Sequence, residues 1–145
     1  MSFEIKVSRR LGDTIVQCTF AAETGLTALF GPSGTGKTSV LNMVAGLLKP
    51  DNGRIAVGGE VLFDSASGTD IPVQARRAGY VFQDGRLFPH MRVRDNLAYG
   101  SSAKGLMTLT EAVRFLGIDH LLDRWPRTLS GGEAQRVAIG RALLS

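Results

Sequence analysis

The sequence predicts an α/β protein in which a β-rich N-terminal part carries a strand-loop-helix unit and a helical part follows. Three observations carry that expectation. Apolar and polar residues alternate in pairs of runs near the N-terminus, a glycine-rich loop joins an apolar strand to a helical apolar face, and helical signals replace strand signals beyond Val93.

Phe3 to Val7 and Thr14 to Phe20 alternate around Leu11-Gly12-Asp13, which reads as a β-hairpin. Leu26 to Phe30 reads as a short apolar strand. The loop Gly31-Pro32-Ser33-Gly34-Thr35-Gly36 follows, and then a helix with Val40, Leu41, Val44, Leu47 and Leu48 on one face, stopped by Lys49-Pro50-Asp51-Asn52-Gly53. Ile55 and Val57 oppose Val61 and Phe63 across Gly58-Gly59, a second hairpin signal, and Ala66 to Thr69 is loop. Ala78-Gly79-Tyr80-Val81-Phe82 reads as a buried strand. Thr108 with Glu111 predicts a capping box for a helix that Gly117 ends. A short helix fits Ile118 to Leu122, ended by Trp125-Pro126, and a last one starts at Ser130 and runs through Val137, Ala138 and Ala142.

Composition narrows the function classes. The chain has 145 residues, 43% hydrophobic and 21% charged, which excludes disorder and a coiled coil. No apolar run is long enough to span a membrane, and Glu4, Lys6, Arg9, Arg10 and Asp13 break any signal-peptide core, so a soluble intracellular protein is expected. Cys18 is the only cysteine and the histidines are His90 and His120, which leaves no zinc set and favours Cys18 as a small core residue. A net charge of +4 with no continuous basic run gives no nucleic-acid footprint. Glycine, at 18 residues, is the outlier, and it clusters in loops.

The first cluster carries chemistry. Gly31 to Thr38 reads G-P-S-G-T-G-K-T and fits G-x-x-x-x-G-K-[ST] at every fixed position, between a strand and a helix as that motif requires. Backbone N–H groups from Gly34 to Lys37 can wrap a phosphate only where side chains leave room, and a helix N-terminus adds a favourable dipole. Lys37 is placed to reach the β- and γ-phosphates and the Thr38 hydroxyl to ligate Mg²⁺. The nucleotide-binding set is therefore Gly31, Pro32, Ser33, Gly34, Thr35, Gly36, Lys37 and Thr38. An ordinary glycine-rich turn with an exposed lysine is the competing reading.

Two further motifs select a family. Leu129-Ser130-Gly131-Gly132-Glu133 resembles the signature of the ATP-binding cassette ATPases, whose commonest form is L-S-G-G-Q, although Ser130 and Glu133 also make a capping box. Gly79-Tyr80-Val81-Phe82-Gln83 resembles that family's Q-loop. The resemblance implies that Ser130, Gly131, Gly132 and Glu133 bind the γ-phosphate of ATP held by a second subunit, so that ATP joins a head-to-tail homodimer. It implies that Gln83 touches Mg²⁺ and the attacking water and, with Lys37, is catalytic. The stretch between Gln83 and Ser130 is too short for the coiled-coil arms of the DNA-repair relatives, which leaves a transporter ATPase.

Asp84 to Gly100 is similar to the matching segment of importer ATPases for oxyanions and sugars, most of all those of molybdate importers. The expected protein is thus the ATPase subunit of an importer, working on the cytoplasmic face of the membrane with an integral membrane permease and, indirectly, a periplasmic or extracellular solute-binding protein. An importer ATPase for sulfate, a sugar or a similar solute, and a non-transport P-loop nucleotide-binding protein, are the alternatives. Leu87, Phe88 and Pro89 are expected either to meet the permease or to join the local core. Arg76, Arg77, Arg86, Arg92 and Arg94 are expected to form a basic neighbourhood, solvated for the most part, with a face toward the membrane partner or lipid headgroups as the alternative.

The resemblance also shows departures. Family members stack adenine on an aromatic residue near Arg10-Leu11-Gly12; here Leu11 or the stem of Arg10 is expected to take that place. The family's metal-binding aspartate, general-base glutamate and switch histidine follow the signature helix, and no such residue follows Glu133 here. The chain is therefore expected to be an N-terminal fragment that hydrolyses no ATP. Its expected parts are a β subdomain with the phosphate-loop core to about residue 87, a helical subdomain at about 88–129 and a signature helix at 130–145.

Overall fold

The computed structural model describes residues 2–101 and 105–145. Residues 102–104, inside the stretch read as helical, lie outside it. The chain divides into two compact units, Met1–Arg76 and Arg77–Ser145. Among the described residues no helix is long and apolar enough to cross a membrane.

The first unit is built on a five-stranded antiparallel sheet. Strands β1 (Phe3–Leu11) and β2 (Thr14–Ala22) form the expected first hairpin, and β3 (Asn52–Val57) and β4 (Glu60–Asp64) the second, with the short β5 (Thr69–Asp70) beside β4. The order is β2-β1-β3-β4-β5. Alternation sets the register: Ile5 lies between Phe20 on β2 and Ile55 on β3, so one face gathers the apolar side chains. Ile5, Val7, Val16, Ile55, Leu62 and Phe63 are buried there with Val40 and Met43 of helix α1 (Lys37–Ala45).

Three expectations are corrected in this unit. Leu26 to Phe30 has no regular secondary structure and pairs with no strand among the described residues, and Leu26 and Phe30 are fully exposed. A strand exists by its hydrogen-bonded ladder, and apolar β-branched or aromatic content alone does not supply a neighbour. Helix α1 ends at Ala45 rather than at Lys49-Pro50, because Gly46 adopts a left-handed conformation (φ 82°) and Leu47 N–H returns to the Asn42 carbonyl at 2.8 Å. Leu41 and Leu47 are consequently exposed, and Met43 is the residue of α1 that is wholly buried. Arg76 does not join a solvated basic face: it is buried.

The second unit is helical, with α2 (Val93–Ala98), α3 (Leu109–Leu116) and α4 (Gly131–Leu144). Val93, Leu97, Ala112, Val113, Ile118, Leu121, Val137 and Leu144 form its core, with Leu87 packed against it. Both capping boxes form. Thr108 and Glu111 start α3, Gly117 ends it at φ 62°, and Ser130 and Glu133 start α4. The short helix expected from Ile118 to Leu122 is a 3₁₀ turn over Asp119–Leu121. Residues 78–82, expected as a strand, have no regular secondary structure and pair with no strand among the described residues, for the same reason as 26–30.

Candidate functional site: a phosphate loop and two elements of the second unit

The loop ahead of α1 is organised by its own lysine. The Lys37 ammonium donates to the Gly31 carbonyl at 2.8 Å and the Pro32 carbonyl at 2.5 Å, with the Thr35 hydroxyl at 3.5 Å; Thr35 in turn donates to the Pro32 carbonyl at 2.9 Å. A cation is thereby held inside the ring of backbone that precedes the helix. Gly36 is the N-cap at φ 90°, and a Cβ there would stand 2.7 Å from Cγ1 of Val16, so both conformation and space require glycine. No side chain caps α1 and no acidic residue lies in its first turn. The first amides of a helix have no intrahelical acceptor, so this N-terminus keeps its donors and its dipole for an anion. Thr38 is exposed beside it.

Arg76 holds the opposite end of α1. It donates from Nη1 to the Met43 and Val44 carbonyls, both at 2.9 Å, and from Nε to the Ile71 carbonyl at 2.7 Å, and Nη2 meets Asp70 at 3.1 Å. Burial pushes its pKa down, and the Asp70 carboxylate opposes that shift.

In the second unit Gln83 lies exposed at the tip of a turn closed by Gly85 N–H donating to the Phe82 carbonyl at 3.0 Å. Tyr80 and Phe82 meet in a tilted contact with centroids 4.7 Å apart, and Arg86 lies over Phe82 at 4.2 Å while reaching Asp84 at 3.4 Å. Arg141 of α4 donates to the Gly85 carbonyl at 3.2 Å, which ties the signature helix to the Gln83 turn. Phe88 is half-buried against Tyr99, at 4.4 Å between centroids, and Pro89 is exposed.

Asn96, outside the residues expected from the sequence to form the site, organises this segment. Fully buried, it accepts from Phe88 N–H at 2.8 Å and donates to the carbonyls of Phe88, Met91 and Arg92. Its signal was a polar residue on the apolar stripe between Val93 and Leu97. Asp51, also outside those residues, accepts from Arg9 Nη1 at 2.5 Å and Arg10 N–H at 2.8 Å, and so fixes the end of β1 beside Leu11. The Arg10 N–H and the Arg9 guanidinium hold its carboxyl below the usual range.

At the start of α4 the Ser130 hydroxyl accepts from Glu133 N–H at 3.4 Å, and the Glu133 carboxylate accepts from Ser130 N–H at 2.7 Å. That backbone donor, with the Ser130 hydroxyl, Arg124 and His120, holds the Glu133 pKa below its usual value. Gly131 and Gly132 are exposed and have nothing within 4 Å of a Cβ position, so the first turn of α4 is open to an incoming group.

Among the described residues no cluster of three or more His, Cys, Asp or Glu side chains forms a metal site. Each of the expected ligands, Thr38 in the first unit and Gln83 in the second, offers one neutral oxygen. A single such oxygen is compatible with Mg²⁺, an ion that usually keeps phosphate and water ligands and is held by few protein groups.

The ABC transporter family model matches residues 17–145. The chain is 56% identical to the molybdenum import ATP-binding protein ModC of Paramagnetospirillum magneticum over 98% of its length, and 52% identical to that of Rhizobium meliloti over 100%; these alignments cover 40% and 42% of the relatives. The chain therefore spans about two fifths of the curated relatives it matches. Among solved structures it resembles CbiO1 of Clostridium perfringens, part of an ABC transporter complex, with TM-score 0.73, 27% identity and coverage of 99% of this chain and 61% of that one. It also resembles a dimeric ATP-binding cassette in a post-hydrolysis state with ADP and Pi, with TM-score 0.69, 26% identity and coverage of 99% and 69%. A family model that runs through the phosphate loop, the Gln83 turn and the signature helix leaves one assignment: the chain belongs to the ABC transporter family of ATP-binding cassettes.

Proposed function

We propose that this chain is the nucleotide-binding part of an ABC importer ATPase that couples ATP hydrolysis to uptake of an oxyanion, molybdate, by a membrane permease. The observation that carries the reading is the phosphate loop, with a lysine ammonium enclosed by backbone ahead of an uncapped helix N-terminus. The amides of 34–37 receive the β-phosphate, and Lys37 exchanges its carbonyl partners for β- and γ-phosphate oxygens as a charge-assisted donor. Thr38 and Gln83 would hold Mg²⁺, which supplies charge neutralisation between the phosphates when bound. Leu11, at the end of β1 that Asp51 fixes, packs against the base. Ser130, Gly131, Gly132 and Glu133 meet the γ-phosphate of a second subunit's ATP, so a homodimer forms around nucleotide. Residues 88–129 form the helical subdomain that meets the permease, and the whole protein lies peripherally on the cytoplasmic face of the membrane. The molybdate assignment is supported by the relatives at 52–56% identity.

Titration of ATP and Mg²⁺ into the 145-residue chain, with Lys37→Ala as control, tests this. The loss of one charged donor, about 1.5–3 kcal/mol, weakens binding roughly 10–150-fold. No turnover is expected from these residues, since no carboxylate follows Glu133. Equal affinity of parent and Lys37→Ala would remove the phosphate-loop reading, and turnover would require a general base within the chain. For the solute, a strain without its molybdenum import ATPase should recover molybdate uptake when given the full-length protein; recovery of sulfate uptake alone would transfer the assignment.

A further inference from the structure

Arg76 is the one charged residue that is buried among the described residues, and its side chain is 1% exposed. A guanidinium in that position has a specific task. Its planar fork serves four acceptors at once: the Met43 and Val44 carbonyls in the last turn of α1, the Ile71 carbonyl, and the Asp70 carboxylate. The final carbonyls of a helix lack intrahelical donors, and a cation there complements the negative end of the dipole. Room for the group comes from Gly46, where a Cβ would stand 2.7 Å from Nε and 2.9 Å from Cζ of Arg76. Between the two ends α1 is a rod of roughly 13 Å, seated on the sheet by Val40 and Met43. Its N-terminal end carries the phosphate loop, and its C-terminal end is fastened to residues 70–76.

We propose that Arg76 is a positioning residue for nucleotide binding: by gripping the last turn of α1 it fixes the axis of that helix and hence the place of the phosphate-loop amides. The proposal rests on the nucleotide-binding reading of the loop. Lysine cannot replace the arginine, because three donors on one point cannot reach acceptors spread around a planar fork.

The test uses the 145-residue chain as parent, Arg76→Met, Arg76→Lys, Asp70→Asn and Lys37→Ala, titrated with ATP and Mg²⁺ at a temperature where circular dichroism shows each to be folded. Amide exchange is followed in parallel at residues 34–45 and in β1 and β2. Arg76→Met should weaken affinity at least tenfold and Arg76→Lys nearly as much, with faster exchange at 34–45 and unchanged exchange in the hairpin. A purely structural role would change exchange throughout the sheet and leave the affinity of the folded fraction alone. Affinities of both Arg76 variants within twofold of the parent would overturn the proposal. If Arg76→Met does not fold, Asp70→Asn decides, with a two- to threefold loss and faster exchange at 34–45 expected, and no change in either overturning it. If the parent binds no nucleotide, or Lys37→Ala binds as well as the parent, the nucleotide reading fails separately. Exchange at 34–38 in Arg76→Lys then decides whether the clamp reaches the loop.

Discussion

The N-termini of α1 and α4 carry the two glycine-rich motifs, and they satisfy their amides in opposite ways. Helix α1 begins at a left-handed glycine with no side-chain cap and no acidic residue in its first turn. Helix α4 begins at a serine with a complete capping box, and a carboxylate occupies the Ser130 N–H. A helix start without its own acceptor is a standing attraction for an anion, whereas one that carries its own acceptor is stable alone. Under the proposed function the difference suggests separate duties: the uncapped start of α1 is the one suited to receive phosphate, and α4 satisfies its first turn with its own side chains.

The largest effect should come from filling the gap at the α1 cap. Gly36→Ala places a Cβ against Val16 at a positive φ. We expect a destabilisation of about 2–4 kcal/mol in urea unfolding, from left-handed strain plus overpacking, together with lost nucleotide binding. Ser130→Ala should cost about 1 kcal/mol by removal of the α4 cap, without effect on the affinity of the isolated chain for ATP. If that variant lowers ATP affinity, the division of duties between the two helices fails.

Glu133→Gln gives the smallest effect. It retains the capping geometry but removes the charge on the acceptor, so stability at neutral pH should fall only slightly. The Glu133 and Glu111 carboxyls are both held below their ordinary value of 4.5, foremost by the backbone N–H of Ser130 and of Thr108 respectively. A lowered pKa in the folded state makes each contribute stability above the unfolded value, which is lost as pH falls through the folded one. Acid unfolding of Glu133→Gln, followed by circular dichroism, should therefore show a shallower decline below pH 4.5 than the parent, with the Thr108 box supplying what remains. Parallel declines would mean that the Ser130 hydrogen bond contributes nothing in solution.

Legibility in the sequence followed the range of the interactions. Both hairpins, both capping boxes and the phosphate loop were readable because each is closed within a few residues, by alternation around a turn, by Thr108 with Glu111, or by the fixed spacing from Gly31 to Thr38. The end of α1 was also local, yet Gly46 was passed over in favour of the Pro50 turn, although a glycine after an apolar helical face is the stronger stop. Arg76 was not legible, because its partners on α1 lie 32 and 33 residues away and nothing in a charged residue says that it will be buried. Asn96, whose partners all lie within eight residues, left a local signal in its place on the apolar stripe between Val93 and Leu97.

By itself, then, the amino-acid sequence determined which segments turn, which helices begin where, and which loop can wrap a phosphate, since those depend on backbone freedom and side chains adjacent in the chain. Tertiary structure alone decided that 26–30 and 78–82 pair with no strand among the described residues, that the sheet runs β2-β1-β3-β4-β5, and that Arg76, one of the arginines expected on a solvated face, is buried against the end of α1. A ladder needs a neighbour and a buried cation needs acceptors. Both are supplied by parts of the chain that only folding brings together.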